Sequence, residues 1–172
     1  GTGRYRLTGH RIPLHVFWII TRKCDALCGH CSVPMKRVKE LELGEAAALI
    51  DQLARMGTTH LTFGGGEPLL RADLGILMER ASLHGMFLRL ETAGLHLPSR
   101  ITELHGLKQV ILPLEGRPAT HDALREHGSF LRFQQALQAA QKASLSILTT
   151  CTLTTRNLGD ISFIVELAQK EN

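Results

Sequence analysis

At 172 residues, 44% hydrophobic and 21% charged, the chain has the make-up of one ordinary globular domain, long enough to bury a sizeable core. A net charge of +4 from dispersed basic residues argues against nucleic acid as a partner. No apolar run approaches the ~18 residues of a bilayer-crossing helix, and no signal-peptide layout opens the chain, so the expectation is a cytoplasmic protein with no membrane partner. The one local basic run, Met35 to Lys39, reads as a solvated loop.

The chain opens on Gly1 and closes on Asn172 straight after a helical pattern. Residues 1–13 read as an N-terminal extension and 14–172 as one domain of a longer protein. Within that domain, apolar runs alternate with helical patterns. His15 to Ile20 is rich in aromatic and β-branched residues and predicts a buried strand. Apolar positions at Ala46, Leu49, Ile50, Leu53 and Met56 predict a helix over 45–56, ended by Gly57. A second strand is expected at 59–63 and a second helix at 72–84. A third strand follows at 86–90, then a short helix at 98–105 and a fourth strand at 109–114. Ser129 is placed to cap a helix over 130–143; a fifth strand spans 145–150, and Asn157 is placed to cap a last helix over 158–169. Five βα units predict an α/β fold with a parallel sheet and right-handed crossovers. Pattern alone leaves both an open sheet and a curled one possible.

The segments that follow the strands hold the chemistry. The first strand runs into Cys24-Asp25-Ala26-Leu27-Cys28-Gly29-His30-Cys31, three cysteines spaced C-x3-C-x2-C. Thiols this close mark a metal or cluster site rather than a disulfide framework. Three ligands are one short of a closed four-ligand site, which leaves a coordination position for chemistry. The fourth cysteine, Cys151, is far away in sequence and reads as packing. The second strand runs into Gly64-Gly65-Gly66-Glu67-Pro68, whose glycines allow close backbone approach and whose carboxylate suits an ammonium group. No Gly-Lys-Ser or Gly-Lys-Thr follows, so this is not a phosphate loop. Glu91-Thr92-Ala93-Gly94, Glu115-Gly116 and Thr152 to Asn157 follow the other strands. In parallel α/β folds this C-terminal edge is where sites are built.

The C-x3-C-x2-C run after the first strand, with Gly-Gly-Glu-Pro after the second, resembles the radical S-adenosylmethionine (radical SAM) superfamily. The likeness continues through Glu91-Thr92-Ala93-Gly94, Leu114-Glu115-Gly116, His121-Asp122 and Gly128-Ser129-Phe130 to Thr155-Arg156-Asn157. That run is similar to the SPASM/twitch-type branch of peptide- and tetrapyrrole-modifying enzymes. The resemblance implies a parallel-sheet partial (β/α)6-type barrel, with five of the six units in this chain. It implies that Cys24, Cys28 and Cys31 hold a [4Fe–4S] cluster whose open iron binds S-adenosylmethionine. Reductive cleavage would then give a 5′-deoxyadenosyl radical that abstracts hydrogen from a peptide or tetrapyrrole substrate. It also implies cofactor-binding roles for Gly65, Gly66 and Glu67 at the methionine end, and for His30 beside the adenine. Thr92 and Glu115 would lie near the cofactor. A flavodoxin- or ferredoxin-type electron donor is the implied redox partner, and the rest of the chain or a second subunit would cover the open sheet edge.

Strand four departs from the family's usual Ser-Leu-Asp-Gly by reading Pro113-Leu114-Glu115-Gly116. Pro113 removes a hydroxyl and a backbone donor and points to an edge strand or a bulge. Two alternatives accompany the leading reading. One is a zinc-binding module completed by His10 or His30; the other is a chain of this fold that binds the cluster without turnover.

Overall fold

Strand and helix alternate along the chain because apolar runs of period 2 are separated by amphipathic stretches of period 3.6. The computed structural model describes residues 12–31, 33 and 39–171. The extension up to residue 11, with His10, and residues 35–38 of the basic run lie outside the described residues.

Five strands, β1 (His15–Thr21), β2 (His60–Gly65), β3 (Phe87–Glu91), β4 (Leu107–Pro113) and β5 (Ser146–Thr150), form one sheet in the order β1-β2-β3-β4-β5. Every neighbouring pair is parallel, as the βα alternation predicts. The crossovers carry helices α1 (Leu43–Met56), α2 (Leu74–Leu83), α3 (Leu97–Arg100), α4 (Pro118–Leu124) and α5 (Ser129–Lys142), and α6 (Ile161–Lys170) follows β5. Gly57 ends α1 in the left-handed region at φ +95° and donates its N–H to Ala54 O at 2.9 Å.

The two faces of the sheet differ. Leu61, Phe63, Leu88, Leu90, Val110 and Leu112 are buried in one core with Ile50, Leu74, Met78 and Phe133 of the helices. Each such side chain contributes roughly 1.5–3 kcal/mol by leaving water. The opposite face is open: Phe17 is 50% exposed and Leu148 45%.

Four expectations need correction. Pro113 is neither on an edge strand nor at a bulge. It ends β4, which lies between β3 and β5, and the chain recovers at once because Leu114 N–H donates to Thr150 O at 2.8 Å. The register shifts fall instead in the β1–β2 and β3–β4 pairings. Ser129 is not the cap of α5 but lies inside its first turn. Asp122 does the capping from α4, accepting from Gly128 N–H (2.8 Å), Phe130 N–H (2.8 Å) and the Ser129 hydroxyl (3.1 Å). Asn157 precedes a 3₁₀ turn, Leu158–Asp160, without capping it through its side chain. Finally, α4 has no counterpart in the sequence pattern, since two turns opened by a proline are too short to show a period.

Candidate functional site

The β1–cysteine segment and the glycine loop after β2 are packed backbone against backbone. Gly66 N–H donates to Thr21 O at 2.9 Å and Glu67 N–H to Lys23 O at 2.8 Å. A Cβ on Gly65, where φ is +125°, would stand 2.4 Å from Thr21 O, and one on Gly66 would stand 2.1 Å from Lys23 O. No side chain fits in either place, so the glycines are needed to seat the cysteine segment itself. That segment is tied down at further points. Cys31 N–H donates to Cys28 O (3.1 Å), Leu27 N–H to Glu126 Oε2 (3.1 Å), and His96 pairs with Asp25 at 2.6 Å.

Two carboxylates are buried at this edge. Glu67 is 0% exposed and accepts from the Thr92 hydroxyl (2.8 and 2.9 Å), Leu69 N–H (3.1 Å) and Ala93 N–H (2.9 Å). Burial pushes its pKa up, and those hydrogen bonds pull against the shift. Glu115, 2% exposed, accepts from Arg125 Nη1 (3.2 Å) and Thr152 N–H (2.8 Å), and His30 Nε2 stands 4.0 Å away. Its backbone is held as firmly: its N–H donates to His121 Nδ1 (3.1 Å), and Asn157 Nδ2 donates to its carbonyl (2.9 Å). His121 must be neutral to accept that bond, and burial lowers its pKa to about 4.

Between these segments lies a cavity of about 510 Å³. Cys24, Cys28, Cys31, His30, Gly65, Gly66, Thr92 and Glu115 all line it. Of the expected site residues, Glu67 alone stands outside the lining; its carboxylate braces the loops after β2 and β3 instead of facing the cavity. Cys151 is also off the wall, in contact with Asn157. Arg156 is exposed and does not reach the cavity.

The donor set fits an iron–sulfur cluster by its chemistry, since three soft thiols line the cavity together with a carboxylate, an imidazole and a guanidinium. Among the described residues, no three His, Cys, Asp or Glu side chains already stand close enough to hold a metal ion. Burial pushes the Cys24 thiol's pKa up, and nearby Glu67 and Asp25 add to the shift. A bound cation would reverse that balance.

Two further residues line the cavity: Arg125, which had no signal in the sequence reading, and Glu91, which opens the Glu91-Thr92-Ala93-Gly94 segment but was assigned no role there. Arg125 is 15% exposed and reaches the cavity from the C-cap of α4, the helix that the pattern hides. Glu91 ends β3; burial raises its pKa, and Arg125 opposes the rise.

Comparison with known proteins gives this arrangement a family. The radical SAM superfamily model matches residues 18–168. The Fe-coproporphyrin III synthase of Methanosarcina barkeri (strain Fusaro / DSM 804) is 30% identical across 98% of this chain and 47% of its own length. The mycofactocin maturase MftC of Mycobacterium tuberculosis (strain CDC 1551 / Oshkosh) is 31% identical across 92% of this chain and 42% of its own. The chain thus spans a little under half the length of these curated relatives. Among solved structures, anSMEcpe with bound AdoMet and Cp18Cys peptide superposes with a TM-score of 0.74 at 18% identity, over 91% of this chain and 48% of that one. Likeness at that identity speaks for the fold. With cysteine and glycine loops meeting at the C-terminal edge of a parallel five-stranded sheet, and a family match over nearly the whole of it, the chain belongs to the radical SAM superfamily.

Proposed function

We propose that residues 14–172 are the catalytic core of a radical SAM enzyme acting on a peptide or a tetrapyrrole precursor. Cys24, Cys28 and Cys31 would hold a [4Fe–4S] cluster, which supplies reductive cleavage of S-adenosylmethionine to a 5′-deoxyadenosyl radical that abstracts hydrogen from the substrate. The observation that carries this reading is the single cavity lined by the three cysteines, Gly65, Gly66, Thr92 and Glu115.

Each residue has work suited to its chemistry. Gly65 and Gly66 present backbone at the methionine end, and Glu67 keeps that backbone in place through Thr92 and Ala93. Arg125 offers a guanidinium to the methionine carboxylate. His30, which donates from Nδ1 to Leu124 O at 3.3 Å, offers a flat ring at the adenine end. Glu115 holds Arg125 in place. A flavodoxin- or ferredoxin-type protein would deliver the electron in the cytoplasm. The rest of the chain or a partner subunit would cover the free edge of β5.

Anaerobic reconstitution of the full chain with iron and sulfide tests the reading. It should give a brown protein with about four irons, as a [4Fe–4S] cluster requires, that forms 5′-deoxyadenosine under a strong reductant. Cys28→Ala should abolish cleavage and leave the fold. A colourless protein with one tight zinc per chain, unfolded by Cys28→Ala, would mark a structural zinc module instead.

A further inference from the structure

Below the cavity, the open face of the sheet carries a polar row. Phe17, Thr62, Arg89, Gln109 and Ser146 are successive partners across β1 to β5, so they share one level of the same face. Glu91, on the cavity wall, is two residues above Arg89 on β3, about 7 Å along the strand. Phe17 belongs both to this row and to the cavity lining.

Among the described residues, Arg89 in this row has no anionic partner. All sixteen acidic residues of the chain fall within the described residues, and none forms an ion pair with it. Its Nε is buried without a hydrogen-bond acceptor, and its guanidinium carbon sits 5.5 Å from the centre of the Phe87 ring. Gln109, the adjacent partner on β4, has a buried Oε1 without a donor, while its Nε2 donates to Ser146 Oγ at 3.0 Å. A hydroxyl both accepts and donates, so the Gln109 amide can turn over and keep its bond to Ser146. Nε2–H then joins Arg89 Nε–H as a donor on the open face.

A half-buried guanidinium whose Nε–H is buried without an acceptor is costly to keep. We infer that Arg89 and Gln109 form an anchoring subsite for a carboxylate group of the substrate, one level below the cavity in which the radical is generated. The inference rests on the radical SAM reading for the identity of the cavity, and it adds that the substrate is acidic. A planar carboxylate matches the fork of a guanidinium. Among the described residues, none of the five positions of this row is a glycine that could cradle a phosphate. Both a porphyrin propionate and a peptide glutamate or aspartate supply the group.

Binding to the full, cluster-loaded protein separates these sources. The probes are coproporphyrin III against its tetramethyl ester, and a short peptide with a single glutamate against its glutamine counterpart. The wild type should prefer the acid of one pair by roughly tenfold or more, the range of a hydrogen bond to a charged group. Arg89→Gln should erase that preference and Arg89→Lys restore part of it. Whichever pair shows the effect identifies the source. Should Arg89→Gln fail to fold, Gln109→Leu should weaken the acid probe several-fold and leave its neutral twin unaffected. The same affinity for acid and neutral probes in both pairs, or a preference that survives these substitutions, overturns the subsite. Formation of 5′-deoxyadenosine by the wild type without any probe reads the radical SAM assignment separately.

Discussion

Two carboxylates are buried at the same edge of the sheet, Glu67 after β2 and Glu115 after β4, and they are satisfied by opposite means. Glu67 has only neutral donors, two backbone N–H groups and the Thr92 hydroxyl. Glu115 has a guanidinium, supplied by Arg125. The β2 side is therefore a fixed brace, in which a charge is held by backbone and nothing is left over for a ligand. The β4 side is a charged wall, where Arg125 faces the cavity and a ligand carboxylate can share it. Two acids at equivalent positions thus do different jobs, and their partners decide which.

The largest effect should come from breaking the brace. Glu67→Ala leaves two buried N–H groups without an acceptor and should cost about 4 kcal/mol in denaturant unfolding, with Glu67→Gln in between. A loss below 1 kcal/mol would mean that water reaches those donors and that Glu67 is no brace. Next comes the wall: Arg125→Met strips the buried Glu115 of its cation and should cost about 3 kcal/mol, most of it recovered when Glu115→Gln is added. Without that recovery, the two acids would be alike after all.

The smallest effect is in pH. His121, which pins the Glu115 backbone, has its pKa lowered from the usual 6.5 to about 4. The unfolded chain therefore binds a proton in this range that the folded chain refuses, and stability falls as pH drops through the window from 6.5 towards 4. Between pH 7 and pH 5 the loss should be about 2 kcal/mol. His121→Asn, which keeps an acceptor and removes the titration, should flatten that part of the pH profile in thermal unfolding.

What was legible in the sequence was whatever is local along the chain. The five strands and their helices follow from periods within a dozen residues, and the observed ends fall close to the predicted ones. The cysteine spacing and Gly64 to Pro68 are single short motifs, so they pointed to one family, and through it to a partial barrel, without any long-range contact being known. Proline and capping readings went astray because Pro113 and Ser129 depend on neighbours supplied from elsewhere: β5 on one side of the strand, and Asp122 on the helix before.

The sequence by itself determined the parallel α/β order, the edge that carries the chemistry and the family, because each is written in spacing between near neighbours. Tertiary structure alone decided that Glu67 braces while Arg125 faces the cavity, and that Arg89 meets Gln109 with no acid between them. Those pairings join residues 10 to 26 positions apart. Strand register and loop closure, not local pattern, set which side chain each one meets.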